Sequence, residues 1–243
     1  MVRTLYELGC ILYSVKTSCR FALVGMNFVK KENDDEQKRK YMKVLLINGS
    51  PHKNGNTRRA LEEVSTQLTK NGVESQIISI GAKAVQGCIA CGQCKKLGRC
   101  VFQDDLYNKV VEALKTADAL IVGSPTYYGG PNGSLCALLD RLFYTAQPML
   151  QNKVYAAVAV ARRGGATTTF QRLNMYAMMS NMPIATSQYW NIAYGREAGE
   201  TEQDIEGLQT MRTLANNVTV LMKGLQNQSM PEREGWSPTS FIR

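Results

Sequence analysis

From Met42 onward two kinds of segment alternate, and that alternation restricts the fold more than any other feature of the chain. Short apolar runs, KVLLIN (43–48), ALIVGSP (119–125) and VYAAVAVA (154–161), are separated by stretches with apolar residues three and four apart. The runs have the length and composition of buried strands, and the spaced stretches are amphipathic helices. VESQIISI (73–80) alternates like a strand, and PIATSQYW (183–190) is predicted as the fifth. Helices are predicted over 57–70, 104–117, 134–145, 168–181 and 204–225. The first turns Ala60, Leu61, Val64 and Leu68 inward and ends at Asn71-Gly72; the second turns Leu106, Val110 and Leu114 inward behind an N-cap at Asp104 or Asp105. Strands alternating with helices build a parallel sheet covered on both faces.

The 243 residues are 44% hydrophobic and 20% charged, enough for one well-buried domain. We assign it to 42–228, with 229–243 as a C-terminal tail. Residues 1–41 are read as an N-terminal extension, disordered or a misassigned start with Met42 the natural one; the alternative is a weak membrane-surface or partner-binding tail. The uncharged runs of 5–29, broken by Lys16 and Arg20, are too short to span a bilayer, and no small-x-small site follows LGCILYSV. No membrane partner is expected, and a cytoplasmic protein is. The net charge of +9 forms no dense basic stripe interleaved with aromatics, so nucleic acid is not expected as a partner. The same excess suits anionic small ligands.

Three loops follow predicted strand ends. NGSPHKNGNT (48–57) lies between strand 1 and helix 1. Ser50, His52, Asn54, Asn56 and Thr57 carry polar side chains, Gly55 admits close approach, and the helix aims its positive end at the loop. This is a phosphate cradle, although it lacks both the Walker Gly-Lys-Ser/Thr and G-x-G-x-x-G; taken alone it is also compatible with a polar capped turn. SPTYYGGPNG (124–133) supplies Pro125, Thr126, Tyr127, Tyr128 and Gly129, suited to a planar ring with a polar edge. ARRGGATT (161–168) supplies Arg163, Gly164 and Gly165, with charge to offset an anion. Three such loops on one edge of the sheet fit a mononucleotide with a flat tricyclic head, FMN. The predicted fold is therefore α/β and flavodoxin-like: a five-stranded parallel sheet of order 2-1-3-4-5 with helices on both faces.

Four of the seven cysteines, Cys88, Cys91, Cys94 and Cys100, form a C-x2-C-x2-C-x5-C pattern. Compact runs of this kind hold cubane clusters; redox-active thiols and zinc remain open alternatives. Lys95, Lys96 and Arg99 beside them favour thiolates. Cys136 and the Met175, Met178, Met179, Met182 stripe read as packing, Asp140-Arg141 as an ion pair or helix-terminal contact, and Tyr189-Trp190 as a core pair or a stacking surface.

GSPHKNGNT, SPTYYGG, LLDR (138–141) and RRGGA resemble the NADPH-dependent FMN reductase superfamily, and with the cysteine run the chain resembles its iron–sulfur flavoprotein branch. The resemblance covers about residues 42–225. It implies bound FMN and a homodimer or homotetramer with the flavin near a subunit interface. Ser50, Asn56 and Thr57 would hold the phosphate; residues 125–129 would border the ring, with Arg163, Gly164 and Gly165 opposite. His52, the one histidine, stands where many relatives carry Arg. The expected activity is an FMN-dependent NAD(P)H oxidoreductase that passes electrons to a small-molecule or ferredoxin-like acceptor, with a 4Fe-4S cluster as the potential relay. The alternative is a flavodoxin-like carrier that never meets nicotinamide.

Overall fold

The computed structural model describes residues 41–226, 228, 229, 232, 234, 235 and 237–239. The reading of the N-terminal extension thus lies outside the described residues, Tyr41 apart, as does part of the tail. The elements are β1 (Lys43–Asn48), α1 (Asn56–Lys70), β2 (Glu74–Ser79), α2 (Cys94–Leu97), α3 (Asp105–Thr116), β3 (Ala119–Tyr127), β4 (Gly130–Pro131), α4 (Gly133–Thr145), α5 (Gln147–Leu150), β5 (Val154–Ala161), α6 (Ala166–Met179), β6 (Ile192–Tyr194), a 3-10 turn (Glu200–Gln203) and α7 (Ile205–Gln226). The strands run β2-β1-β3-β5-β6, all parallel, with the two-residue β4 antiparallel to the end of β3. Without β4 this is the predicted 2-1-3-4-5 order.

Period-two geometry divides each central strand between two cores. Leu45, Ile47, Tyr155 and Ala157 pack with α3, α4 and α6. Val44, Leu46, Val154, Ala156 and Val158 pack with α1 and α7. All eight residues of β5 are buried, which explains its unbroken apolar sequence. Each fully buried Leu, Ile or Val contributes roughly 1.5–3 kcal/mol. Tyr155 is fully buried, and its hydroxyl donates to the Leu173 carbonyl at 2.9 Å, strapping α6 to the sheet. Burial drives its pKa far above the ordinary phenol value.

The predictions differ from the structure at the edge strand and in the methionine stripe. The edge strand is not continuous over 183–190. The chain touches β5 at Ile184, where Ala185 N–H bonds the Tyr155 carbonyl at 2.8 Å, leaves it, and returns as β6. Across the gap the Asn191 side-chain amide donates to the Ala157 carbonyl at 3.1 Å, in place of a backbone bond. Tyr189 and Trp190 sit on this bulge as an exposed tilted pair, centroids 5.1 Å apart, and are not core. On α3 the predicted inward face holds, with Val110 and Leu114 buried beside Tyr107 and Leu106 half-buried against the same core; Asp104 is the N-cap and accepts from Tyr107 N–H at 2.9 Å. Of the methionine stripe only Met182 is buried. Met175, Met178 and Met179 are exposed, because they lie on the outer side of α6, away from Leu173, Tyr176 and Ala177. Cys136 is half-buried, and burial raises its thiol pKa.

Candidate functional site

The carboxyl ends of β1, β3 and β5 lie side by side, so their loops share one edge of the sheet. Asn48 is buried at the end of β1. Its side chain donates to Ser79 Oγ at 3.2 Å and accepts Ser50 N–H at 3.1 Å, turning the chain at once. A Cβ on Gly49 would sit 2.7 Å from the Gly123 carbonyl, so only glycine lets the first loop lie against β3, where Gly49 N–H bonds that carbonyl at 2.8 Å. Ser50 Oγ accepts His52 N–H at 3.1 Å. Helix α1 opens at Gly55 with no side-chain cap and no acidic residue in its first turn. Its leading N–H groups have no intrahelical partner, and the helix dipole adds positive potential, which together favour an anion. Ser50 and Thr57 are buried beside it, while His52, Lys53 and Asn54 are exposed.

Asn56, expected at the phosphate, is occupied elsewhere. Its amide donates to the Glu197 carbonyl at 2.9 Å and its oxygen accepts Thr201 N–H at 3.3 Å. It ties the start of α1 to the segment leading into α7, holding the loop from behind.

The second loop is closed by Ser124, whose hydroxyl accepts Asn132 N–H at 2.9 Å and donates to the Pro125 carbonyl at 2.8 Å. Asn132 in turn caps α4 through Ser134 and Leu135 N–H. Tyr128 and Gly129, both at positive φ, form the tip between β3 and β4, with Tyr127 and Tyr128 exposed. The third loop meets it directly. Gly165 has φ +82° and packs so closely that a Cβ would lie 3.0 Å from Gly129 Cα and 3.2 Å from Thr126 Cγ2. Thr168 Oγ1 bridges the Gly129 and Gly165 carbonyls at 2.6 and 2.9 Å. Thr126 Oγ1 is buried without a protein partner. Arg163 and Gly164 are exposed on the rim. An unsatisfied hydroxyl between two loops held at glycine distance, on the same sheet edge as an uncapped helix start, fits a flat, phosphorylated ligand.

The fourth loop joins β2 to α3. Cys88 and Cys91 are exposed, Cys94 half-buried in α2, and Cys100 buried. All four line one apolar pocket, with Arg141 and Tyr144 on its wall. Ala90 N–H donates to Cys88 Sγ at 3.4 Å, and Gly98 closes α2 in the left-handed conformation. Among the described residues no three Cys, His, Asp or Glu side chains stand at the spacing of a single metal ion. A cubane takes each thiolate at a different corner, and four thiols around one apolar pocket suit its donor chemistry.

Arg141, expected in an ion pair with Asp140 or at a helix terminus, is 0% exposed. Its partner is Asp104, 2.6 Å from Nη1, rather than Asp140, which accepts from the Tyr176 hydroxyl at 2.5 Å. Arg141 also donates to the carbonyls of Gln86 at 3.2 Å and Phe102 at 2.6 Å and stacks 4.4 Å over Tyr107. Burial pulls its pKa down, but Cys100 and Asp104 outweigh that and hold it above the ordinary value. The signal was present: Arg141 follows Leu138 by three residues, on the inward stripe of α4.

A doubly covered parallel sheet with three braced loops at its carboxyl edge fits a flavin-dependent oxidoreductase, the class that the family match supports. The chain belongs to the NADPH-dependent FMN reductase family, whose profile matches residues 42–197, in its iron–sulfur flavoprotein branch. It is 34% identical over 194 residues to an iron–sulfur flavoprotein of Methanocaldococcus jannaschii, covering 75% of this chain and 98% of that one. It is 32% identical over 200 residues to another of Archaeoglobus fulgidus, covering 76% and 98%. Its fold matches RosB at TM-score 0.61 with 15% identity, over 83% of this chain and 94% of RosB. It also matches a WrbA-like flavodoxin of Agrobacterium tumefaciens at TM-score 0.54 with 21% identity, over 76% and 99%.

Proposed function

We propose that this protein is an FMN-dependent NAD(P)H oxidoreductase that passes electrons to a small-molecule or ferredoxin-like acceptor through a 4Fe-4S cluster. The observation that carries the reading is the mutual bracing of the three loops: Gly49 against Gly123, and Gly165 with Thr168 against Gly129. Ser50, Thr57 and the start of α1 hold the phosphate. Thr126 offers its unpartnered hydroxyl to the ring's polar edge, and Arg163 with the backbone of Gly164 and Gly165 places positive charge where a reduced ring becomes anionic. Bound FMN supplies the hydride and electron-transfer chemistry; the protein binds and orients it and tunes its charge. Cys88, Cys91, Cys94 and Cys100 ligate the cluster, a reading supported by the names of the relatives. Among the described residues no helix is long and apolar enough to cross a membrane; we place the protein in the cytoplasm as a homodimer or homotetramer.

Anaerobically purified protein is expected to release FMN at roughly one per chain on heating, to contain iron and acid-labile sulfide at about four each, and to lose its visible flavin band on addition of NADH or NADPH. Colourless protein that also fails to take up added FMN overturns the reading. Flavin that is reduced by dithionite but by neither nicotinamide leaves an electron carrier instead.

A further inference from the structure

Arg141 is the one fully buried cationic side chain among the described residues, and it stands on the wall of the cysteine pocket. Building it there is costly. A guanidinium removed from water needs a counter-charge and hydrogen bonds to offset its desolvation. It has both, in Asp104, the Gln86 and Phe102 carbonyls and the faces of Tyr107 and Phe102. The carbonyls belong to residues on either side of the cysteine run, so the loop is folded around the guanidinium. Arg141 and Cys100 line the same pocket, and Arg141 Nε has no hydrogen-bond partner of its own. An interior made only for packing would place Leu or Met here, as the rest of α4 does at Leu135, Leu138 and Leu142.

We infer that Arg141 is a positioning residue that sets the reduction potential of the group held by Cys100 and its three neighbours, with Asp104 as the opposing charge that limits the effect. The inference rests on the cluster reading above. The potential of an iron–sulfur centre depends on net charge, hydrogen bonds to its sulfurs and exposure. Reduction adds one negative charge beside Cys100. A guanidinium that is always ionised favours that state and raises the potential. Lys95, Lys96 and Arg99 are also near in sequence, but they are exposed and screened by water and salt. Arg141 is neither.

The test uses anaerobically purified holoprotein of the wild type and of Arg141→Met, Arg141→Lys and Asp104→Asn. Iron, sulfide and flavin contents are measured first. Cluster and flavin midpoint potentials then follow from one redox titration monitored by EPR and absorbance. Asp104→Asn keeps an N-cap acceptor for Tyr107 N–H and an amide oxygen beside Arg141, and because the Asp104 side chain is part-exposed, water offsets part of the lost charge. This variant is expected to move the cluster potential positive. Arg141→Met is expected to move it negative by about tenfold in the one-electron equilibrium, which is about 59 mV. Arg141→Lys, which keeps the charge, is expected near the wild type. The flavin potential is expected to hold, because Arg141 lies nine residues, about 13 Å of helix, from the N-cap Asn132 that borders the flavin loops. Opposite shifts in the two charge variants support the inference. An unmoved potential, or shifts of one sign, overturns it while leaving the cluster reading intact. Should Arg141→Met lose its iron, Asp104→Asn decides: a positive shift, with Arg141→Lys near the wild type, supports the inference, and an unmoved or negative Asp104→Asn potential overturns it. Wild-type protein that binds FMN but contains no iron overturns the cluster reading, and this inference with it.

Discussion

Thr168 donates from its hydroxyl to the Gly129 carbonyl at 2.6 Å and so fastens the first turn of α6 to the tip of the β3–β4 loop. The same oxygen lies 2.9 Å from the Gly165 carbonyl of its own loop. Thr168 is exposed, so its contribution to folding is small; what it fixes is the spacing of two loops of the candidate flavin site. Thr168→Val keeps the shape and removes the donor. The apoprotein variant is expected to bind FMN about 2- to 12-fold more weakly, the equivalent of one neutral hydrogen bond at roughly 0.5–1.5 kcal/mol, with thermal unfolding little changed. Thr168→Ser restores the donor and should restore the affinity. Fluorescence titration with FMN checks this, and an unchanged Kd in the valine variant rules out the clamp.

Neighbouring glycines in the third loop are expected to respond differently. Gly165 stands at φ +82° with Gly129 Cα and Thr126 Cγ2 in the way of any Cβ, whereas nothing lies within 4 Å of a Cβ on Gly164. Gly165→Ala adds both backbone strain and a clash between loops, at a cost of about 1–3 kcal/mol. It should lower the unfolding free energy in urea and abolish stoichiometric FMN retention on gel filtration. Gly164→Ala should keep both. Equal behaviour of the two variants would show that the contact between the loops does not hold the site.

Glu63 joins α1 to α7 by accepting from Arg59 at 2.8 Å and Arg212 at 2.5 Å. Burial alone raises its pKa, but the two guanidinium groups outweigh burial and hold it below the ordinary value of 4.5. A carboxylate with a lowered folded-state pKa stabilises the protein above its unfolded-state pKa, and the benefit disappears as pH falls through the folded-state value. The stability difference between wild type and Glu63→Gln should therefore be constant above about pH 5, of order 1 kcal/mol, and shrink toward zero in acid below the ordinary carboxylate range. Urea unfolding across that pH range measures it; two curves that stay parallel into acid would refute the assignment.

The central strands were legible because burial on both faces leaves a sequence no choice but apolar residues, as in Val154–Ala161. The loops of the candidate site were legible because glycine at 49 and 165 and polar residues at 50, 57 and 126 stand directly at predicted strand and helix ends. Two things were hidden. The burial of Arg141 depends on Phe102 and Gln86, 39 and 55 residues earlier in the chain, so local periodicity carries only a faint trace of it. Asn56 likewise spends its amide on residues 141 and 145 positions away, and nothing local in the sequence marks those partners. The edge strand was misplaced for a different reason. Residues 183–190 have strand-like composition, but nothing in a pattern of alternation marks where a chain leaves the sheet and returns through a side chain.

That return sets up a contrast between adjacent residues. Asn191 is 1% exposed, replaces a missing backbone bond on the Ala157 carbonyl, and accepts from the Ser187 hydroxyl at 2.7 Å. Trp190, beside it, is 53% exposed on the bulge. Were 183–190 a continuous edge strand, the large aromatic would contribute packing and the amide next to it little. With the bulge the order reverses. Asn191→Ala leaves a buried carbonyl unpaired and is expected to cost about 1–3 kcal/mol, whereas Trp190→Ala is expected to stay within about 0.5 kcal/mol of the wild type. Urea denaturation of the two variants separates the alternatives: a tryptophan variant as damaging as the asparagine variant would mean that the aromatic pair packs into the fold and that the strand runs unbroken.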